Sequence, residues 1–91
     1  MHIAELIALA KVRSGKTQKE MAQEMGYNHP NYVSKIATGA KAPDASEIIY
    51  FAEAANMPPI EVLAEIESKR HPELANFWRV ILAKSGTSLT K

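Results

Sequence analysis

The stretch from Thr17 to Gly39 places the strongest constraint on the fold, because it has the pattern of two short helices joined by a tight turn. Thr17 can accept a backbone N–H as a helix N-cap, and Glu20, three residues on, completes a capping box. Gly26 can adopt the left-handed conformation that ends a helix without a Cβ clash. The first of the two helices is therefore predicted to end at Met25.

The second helix of the pair is predicted around Pro30. Proline lacks an N–H and has a fixed φ, so it suits the first turn of a helix, with either His29 or Asn28 as the cap. Val33 and Ile36 lie three residues apart and are expected to face the core. The opposite face is expected to carry four polar residues: Asn31, Tyr32, Ser34 and Lys35.

The outer face of this second helix carries amide, hydroxyl and cationic groups. These groups suit base edges in the major groove of double-stranded DNA. Asn31 pairing with adenine and Lys35 pairing with guanine are both open assignments. The predicted base contacts are Asn31, Tyr32, Ser34 and Lys35, with His29 a weaker candidate because capping is its competing role.

This stretch, together with Ala40 to Pro43 behind it, resembles the Cro/CI-type (Xre-like) helix-turn-helix family of phage and bacterial regulators. The TQKEMA start, the Gly26 turn, the VSKI pattern and the G-x-K-x-P exit carry the resemblance, which covers roughly residues 3–66. The span from Gly26 to Gly39 is one residue longer than the usual pattern, and Ala37 stands where the family often has Glu. The resemblance implies a phage- or mobile-element-type regulator with a lambda-repressor-like DNA-binding domain.

Phosphate contacts are predicted on either side of the second helix. Gln18 emerges at the start of the first helix of the pair, where free backbone N–H groups attract phosphate. Lys41 lies in the loop that follows the pair, where a solvated lysine is an equal alternative. The predicted phosphate contacts are Thr17, Gln18, Lys19 and Lys41. The cations Lys11, Arg13 and Lys16 have two open roles, at the helix dipole or at phosphate.

Further helices are predicted on both sides of the pair. An apolar stripe of Ile3, Leu6, Ile7 and Ala10 predicts a first helix ending near Arg13. Downstream, Asp44 and Glu47 form a second capping box for a helix reaching about Ala55, and Asn56 is expected to cap its end. Pro58 and Pro59 then start a helix in which Glu65 and Lys69 pair.

The last predicted helix, from His71 to Gly86 with Pro72 at its first position, has a large apolar stripe. A stripe of this size is seldom left to water, so it either packs on its own core or joins a second copy. The stripe consists of Leu74, Phe77, Trp78, Ile81 and Leu82, of which Leu74, Phe77, Trp78 and Ile81 are the predicted homodimer contacts.

The sequence as a whole predicts an all-α protein, a compact five- to six-helix bundle of the lambda-repressor-like type with an added C-terminal amphipathic helix. The predicted divisions are residues 1–68 for DNA binding, 69–86 for the C-terminal helix and 87–91 for a disordered tail. Residues 1–43 carry six basic against three acidic side chains, whereas the remainder carries five against seven. The charge asymmetry therefore coincides with the helix pair.

Composition and motifs exclude several other classes. The chain has 91 residues and no cysteine, so neither a disulfide framework nor a thiolate metal site is expected. No apolar run is long enough to span a membrane, and no export signal is evident, so a cytoplasmic location is predicted. The three histidines lack metal-ligand spacing, and no nucleophile motif or phosphate-binding glycine loop is present. No catalytic residue, metal, cofactor or small-molecule ligand is therefore expected.

The leading functional prediction is a sequence-specific DNA-binding regulator, expected to repress transcription by covering an operator. That mode of action is implied by the resemblance. The alternative is a protein-binding adaptor or antitoxin-like partner that docks through its aromatic C-terminal helix.

Overall fold

The computed structural model describes residues 1–85, and all regular secondary structure in this part of the chain is helical, without a strand. The predicted all-α class is confirmed. The predictions for Gly86 and for residues 87–91 lie outside the described residues. Six α-helices follow one another in residues 1–85: α1 (Ile3–Ser14), α2 (Gln18–Glu24), α3 (Tyr32–Thr38), α4 (Ala45–Ala54), α5 (Pro59–Arg70) and α6 (Ala75–Ser85).

Both predicted capping boxes are present. The Thr17 hydroxyl accepts the Glu20 N–H at 3.1 Å, and the Glu20 carboxylate accepts the Thr17 N–H at 2.8 Å, which starts α2. Asp44 and Glu47 make the same reciprocal pair at the start of α4, with both bonds at 2.9 Å. Each box satisfies N–H groups that have no partner within the helix. The two starts are therefore fixed by local sequence.

The start of α1 is a capping box that the sequence analysis missed. The His2 imidazole accepts the Ala4 N–H through Nδ1 at 3.2 Å, and Glu5 accepts the His2 N–H at 2.9 Å. Histidine is not among the preferred N-cap residues, which explains why it did not stand out. At the other end of the chain, Pro72 opens a short 3-10 turn instead of the helix, which begins at Ala75.

Helix α3 begins later than the sequence predicts. The His29 carbonyl accepts the Tyr32 N–H at 3.2 Å, and Asn31 has φ −98° and ψ 8°, so residues 29–32 fit a type I β-turn with Pro30 at its second position. Pro30 therefore serves the turn and lies outside the helix. Neither His29 nor Asn28 is the N-cap, because Asn31 holds that position, without a side-chain capping bond.

The core lies between α1, α3, α4 and α5, with α2 packed against α3. The predicted apolar stripe of α1 is buried except at Ile3, which is only half-buried, and α4 buries Ile48, Phe51 and Ala52. Two side-chain to backbone bonds tie distant ends of helices together: Arg13 donates to the Ala55 carbonyl at 2.9 Å, and Arg70 to the Pro43 carbonyl at 2.8 Å. The largest fully buried side chains are Phe51, Leu6, Ile7, Met21, Ile36, Ile48 and Val33.

Helix α6 packs mainly on α5. Part of the predicted apolar stripe packs on the protein's own core, and part of it is exposed. Leu82 is buried and Trp78 packs against the core from a half-buried position, whereas Phe77 and Leu74 remain exposed. The predicted pair Glu65–Lys69 is present on α5 at 3.7 Å. The inner part of α6 therefore covers the protein's own core, and its outer part is uncovered in a single copy of the chain.

Candidate nucleic-acid interface

Helix α3 is anchored by Val33 and Ile36, both of which are completely buried. The side of the helix away from these two residues is more exposed. Asn31 and Lys35, four residues apart, are exposed there, and Ser34 is half-buried beside them. The helix therefore presents an amide, a hydroxyl and an ammonium group on one surface. Their contacts with DNA stay a prediction.

Tyr32 does not share this outward surface, so its predicted placement is wrong. Its ring stacks on Tyr27, with the centroids 3.8 Å apart and the planes at 17°, and it packs against the core. Its hydroxyl donates to the Glu47 carboxylate on α4. Burial, followed by this bond to Glu47, raises the pKa of Tyr32 well above its ordinary value. The phenol hydroxyl is therefore bonded within the protein, and the base contact predicted for Tyr32 stays a prediction.

Glu47 is almost completely buried, with 2% of its surface exposed. One carboxylate oxygen, Oε1, accepts the Asp44 N–H in the capping box, and the other, Oε2, accepts the Tyr32 hydroxyl. A buried carboxylate needs such partners, because its desolvation is otherwise costly. This single side chain therefore joins the start of α4 to the start of α3.

His29 is exposed just before α3. Its Nδ1 atom accepts the Asn31 N–H at 3.2 Å, so one ring nitrogen is used inside the turn. This bond leaves Nε2 as the ring atom available to a ligand. Capping was the predicted competing role of His29, and its imidazole has a related role here, because it stabilises the turn before α3.

The start of α2 forms a shallow basic concavity with the end of α1. Gln18 is half-buried and Lys19 is exposed, and both line this concavity together with Lys11. The Thr17 hydroxyl accepts the Glu20 N–H through its oxygen, which leaves its own O–H able to donate to a phosphate oxygen. The concavity gathers ammonium groups, an amide and this hydroxyl beside the helix pair, as a phosphate-binding surface requires.

Lys16 is engaged elsewhere. Its Nζ atom lies 2.7 Å from the Glu24 carboxylate, which also accepts the Tyr50 hydroxyl. Lys16, followed by the Tyr50 bond, lowers the pKa of Glu24. This group of three residues connects the loop before α2, the end of α2 and helix α4. The Lys16 ammonium is therefore paired with a carboxylate on the protein's surface, and its two predicted roles, at the helix dipole or at phosphate, stay predictions.

Lys41 lies in the loop after α3, and its backbone is fixed to that helix. Its N–H donates to the Lys35 carbonyl at 3.1 Å, while Gly39, with φ +88°, donates to the Ile36 carbonyl. The Lys41 ammonium lies 5.3 Å from the centre of the Tyr32 ring, a cation–π distance. The side chain is half-buried. Lys41 is therefore held beside the start of α3 and differs from a freely solvated loop lysine.

Two supporting residues escaped the sequence analysis. Tyr27 was not singled out, although it directly follows Gly26 and precedes a second tyrosine by five residues. Its N–H donates to the Ala22 carbonyl at 2.9 Å, which fixes it to the end of α2. Glu47 was assigned only a capping role, because its second oxygen bonds a residue that is distant in sequence. The proximity of two tyrosines was the only available signal.

Residues 1–85 contain neither a metal-binding cluster nor a membrane-spanning helix. No group of three or more His, Cys, Asp or Glu side chains in this part of the chain has an arrangement that can hold a metal ion. None of the described helices combines the length and apolar character needed to cross a membrane.

The short helices α2 and α3, the turn between them and the exposed polar face of α3 define a helix-turn-helix DNA-binding domain. A family model described as helix-turn-helix matches residues 6–62, well over half of the chain, and the chain belongs to this family, in its Cro/CI-like form. It is thereby a DNA-binding regulator of transcription. The match ends within α5, so α6 lies outside it. No curated protein and no solved structure matches the chain.

Proposed function

We propose that the protein is a sequence-specific repressor that inserts α3 into the major groove of its operator. The observation that carries this proposal is the division of α3 into a buried face, Val33 and Ile36, and an exposed polar face, Asn31 and Lys35. An amide side chain suits adenine and a lysine suits guanine, while the Ser34 hydroxyl can bond either base. His29 lies at the edge of this surface and contributes through Nε2.

Phosphate contacts are proposed to set the register of α3 without reading sequence. Gln18 and Lys19 approach one stretch of the DNA backbone from the start of α2. Thr17 precedes them in the chain and lies between them and the end of α1. Lys41 approaches another stretch from the loop after α3. Such contacts supply affinity that falls steeply with salt, because each neutralised phosphate releases counterions.

A homodimer is proposed through the outer face of α6. Phe77 and Val80 on α6 are 54% and 44% exposed, and Leu74, in the 3-10 turn just before the helix, is 38% exposed, which leaves an apolar surface along α6 and its start. Trp78 and Ile81, half-buried, lie at its edge. Two-fold pairing of this surface would place two copies of α3 where they can bind the two half-sites of an inverted-repeat operator, about 34 Å apart. A dimer seated on a promoter represses by excluding polymerase.

A second candidate function also rests on the exposed apolar surface of α6. The exposed surface of α6 also fits another protein, as the adaptor or antitoxin-like alternative requires. DNA binding separates the two functions, because an adaptor whose reading helix has lost its role would show no salt-dependent affinity for DNA.

The test is a selection of bound sequences from random DNA, followed by titration of the selected DNA and a scrambled version at low and moderate salt. The repressor proposal predicts an inverted-repeat consensus, tighter binding of the selected DNA, and an affinity for both DNAs that falls with salt. Absence of a consensus together with no salt-dependent affinity for either DNA contradicts the proposal and favours the adaptor. A reporter gene carrying the selected site then separates repression from activation.

A further inference from the structure

The orientation of α3 is set from outside the helix. Helix α3 has only 7 residues, and its N-cap residue, Asn31, makes no side-chain capping bond. A helix this short is marginal by itself and depends on tertiary contacts. The buried residues Val33 and Ile36 hold its middle. The contacts at its start therefore decide the angle at which the reading face is presented.

Tyr32, the first residue of α3, makes the contacts that hold this start. Its hydroxyl bonds Glu47 on α4, and its ring stacks at 3.8 Å on Tyr27, whose N–H is bonded to the end of α2. The Lys41 ammonium lies 5.3 Å from the centre of the same ring. One side chain thus connects the reading helix with α2, with α4 and with the loop after α3.

Glu47 is a rigid support for this contact. It is buried, and its other oxygen is held by the Asp44 N–H at 2.9 Å in the capping box of α4. Removing the Tyr32 hydroxyl leaves a buried carboxylate oxygen without its partner, which is more costly than losing an exposed hydrogen bond. The start of α3 therefore has one strongly favoured position relative to α4.

We propose that Tyr32 and Glu47 act as a strut that sets the orientation of α3, which makes Tyr32 a positioning residue for sequence reading and not a base contact. This inference rests on the proposed function of α3 as the reading helix. Bidentate contacts with base edges need a fixed helix orientation, whereas phosphate contacts tolerate several. If the strut is lost, only a fraction of molecules holds the competent orientation, and specific affinity falls by that fraction.

The test compares Tyr32→Phe with Tyr50→Phe on the full chain, using the selected DNA and its scrambled version. Tyr50 is a matched control, because its hydroxyl also bonds a carboxylate, that of Glu24, but joins α4 to α2 and not to α3. Tyr32→Phe is expected to weaken binding of the selected DNA about tenfold and to change binding of scrambled DNA less than about twofold. Tyr50→Phe is expected to change neither by more than about twofold.

Thermal melting confirms that each variant is folded at the assay temperature. If Tyr32→Phe is unfolded there, the double variant Tyr32→Phe, Glu47→Gln provides the test, since it removes the unpaired buried charge and keeps an acceptor oxygen for the Asp44 N–H but has no Tyr32 hydroxyl to bond. The same selective loss is expected. An equal loss on both DNAs shows a merely structural role and overturns the inference, as does unchanged binding of the selected DNA. A wild type that does not discriminate between the two DNAs refutes the proposed function itself, and with it the strut's role in reading. If the wild type discriminates between the two DNAs and Tyr32→Phe discriminates equally well, the strut is refuted and the proposed function stands.

Discussion

Replacing Phe77 with alanine tests the proposed dimer most sharply, because 54% of this residue is exposed in a single copy of the chain. An aromatic side chain carries about 200 Å² of surface, so about 110 Å² of Phe77 is free to be buried. At about 25 cal/mol per Å² this is about 2.7 kcal/mol per protomer. Because the proposed dimer is two-fold symmetric, Phe77 is buried in both protomers, and this free energy is doubled.

Part of this energy is lost to incomplete coverage and to the methyl group that alanine retains, so we expect about half of the doubled value. The dimer dissociation constant should then rise about a hundredfold. Sedimentation equilibrium over a range of concentrations measures it directly, and the fluorescence of Trp78, the single tryptophan, reports on the neighbouring ring. Circular dichroism verifies that the variant remains helical.

Val12→Ala is the matched control, since Val12 is 80% exposed but lies on α1. Its removal should leave the dissociation constant unchanged. A wild type that stays monomeric at tens of micromolar, with or without DNA, refutes the dimer. If Phe77→Ala unfolds the chain instead, the residue belongs to the protein's own core, against the exposure observed.

Two further predictions concern charge. Lys41→Ala is expected to weaken binding to all DNA similarly and to lower the salt slope by about one, because one phosphate contact is lost; an unchanged slope in the titrations argues against that contact. The hydrogen bond from the Glu47 N–H, followed by that from the Ser46 hydroxyl, lowers the pKa of Asp44 below its ordinary 3.8. A carboxylate with a lowered pKa in the folded state stabilises the fold above its unfolded-state pKa, and this stabilisation is lost as pH falls. The difference in the free energy of unfolding between wild type and Asp44→Asn should therefore become smaller as pH falls towards about 3. A difference that stays constant from neutral pH to that acidity, measured by urea denaturation, contradicts this role of the charge.

Structural features that depend only on residues close together in the chain were predictable from the sequence. The capping boxes at Thr17 and Asp44 and the helix end at Gly39 each depend on residues a few positions apart, and all three are present. The same local view failed at Pro30, because a fixed φ suits both the first turn of a helix and the second position of a β-turn. Only the path of the chain from α2 to α3 distinguishes these two structures.

Contacts between distant residues were not predictable in the same way. Helical periodicity places Tyr32 beside the polar residues of α3, but its hydroxyl bonds a carboxylate 15 residues away. The pairing of Lys16 with Glu24 likewise joins separate elements of the structure, across 8 residues. In α6, periodicity grouped Phe77 with Trp78, although the latter packs on the core and the former is exposed. Each of these outcomes depends on how helices pack, which composition and spacing do not specify.

The most direct test of the central claim, that the exposed face of α3 reads DNA sequence, is the effect of Asn31→Ala on binding of selected and scrambled DNA. Asn31 is exposed and makes no capping bond, so its loss should leave the fold intact. We predict a loss of roughly 1 to 3 kcal/mol on the selected DNA and almost none on scrambled DNA. An equal loss on both, or no loss on either, would show that this face does not read the sequence.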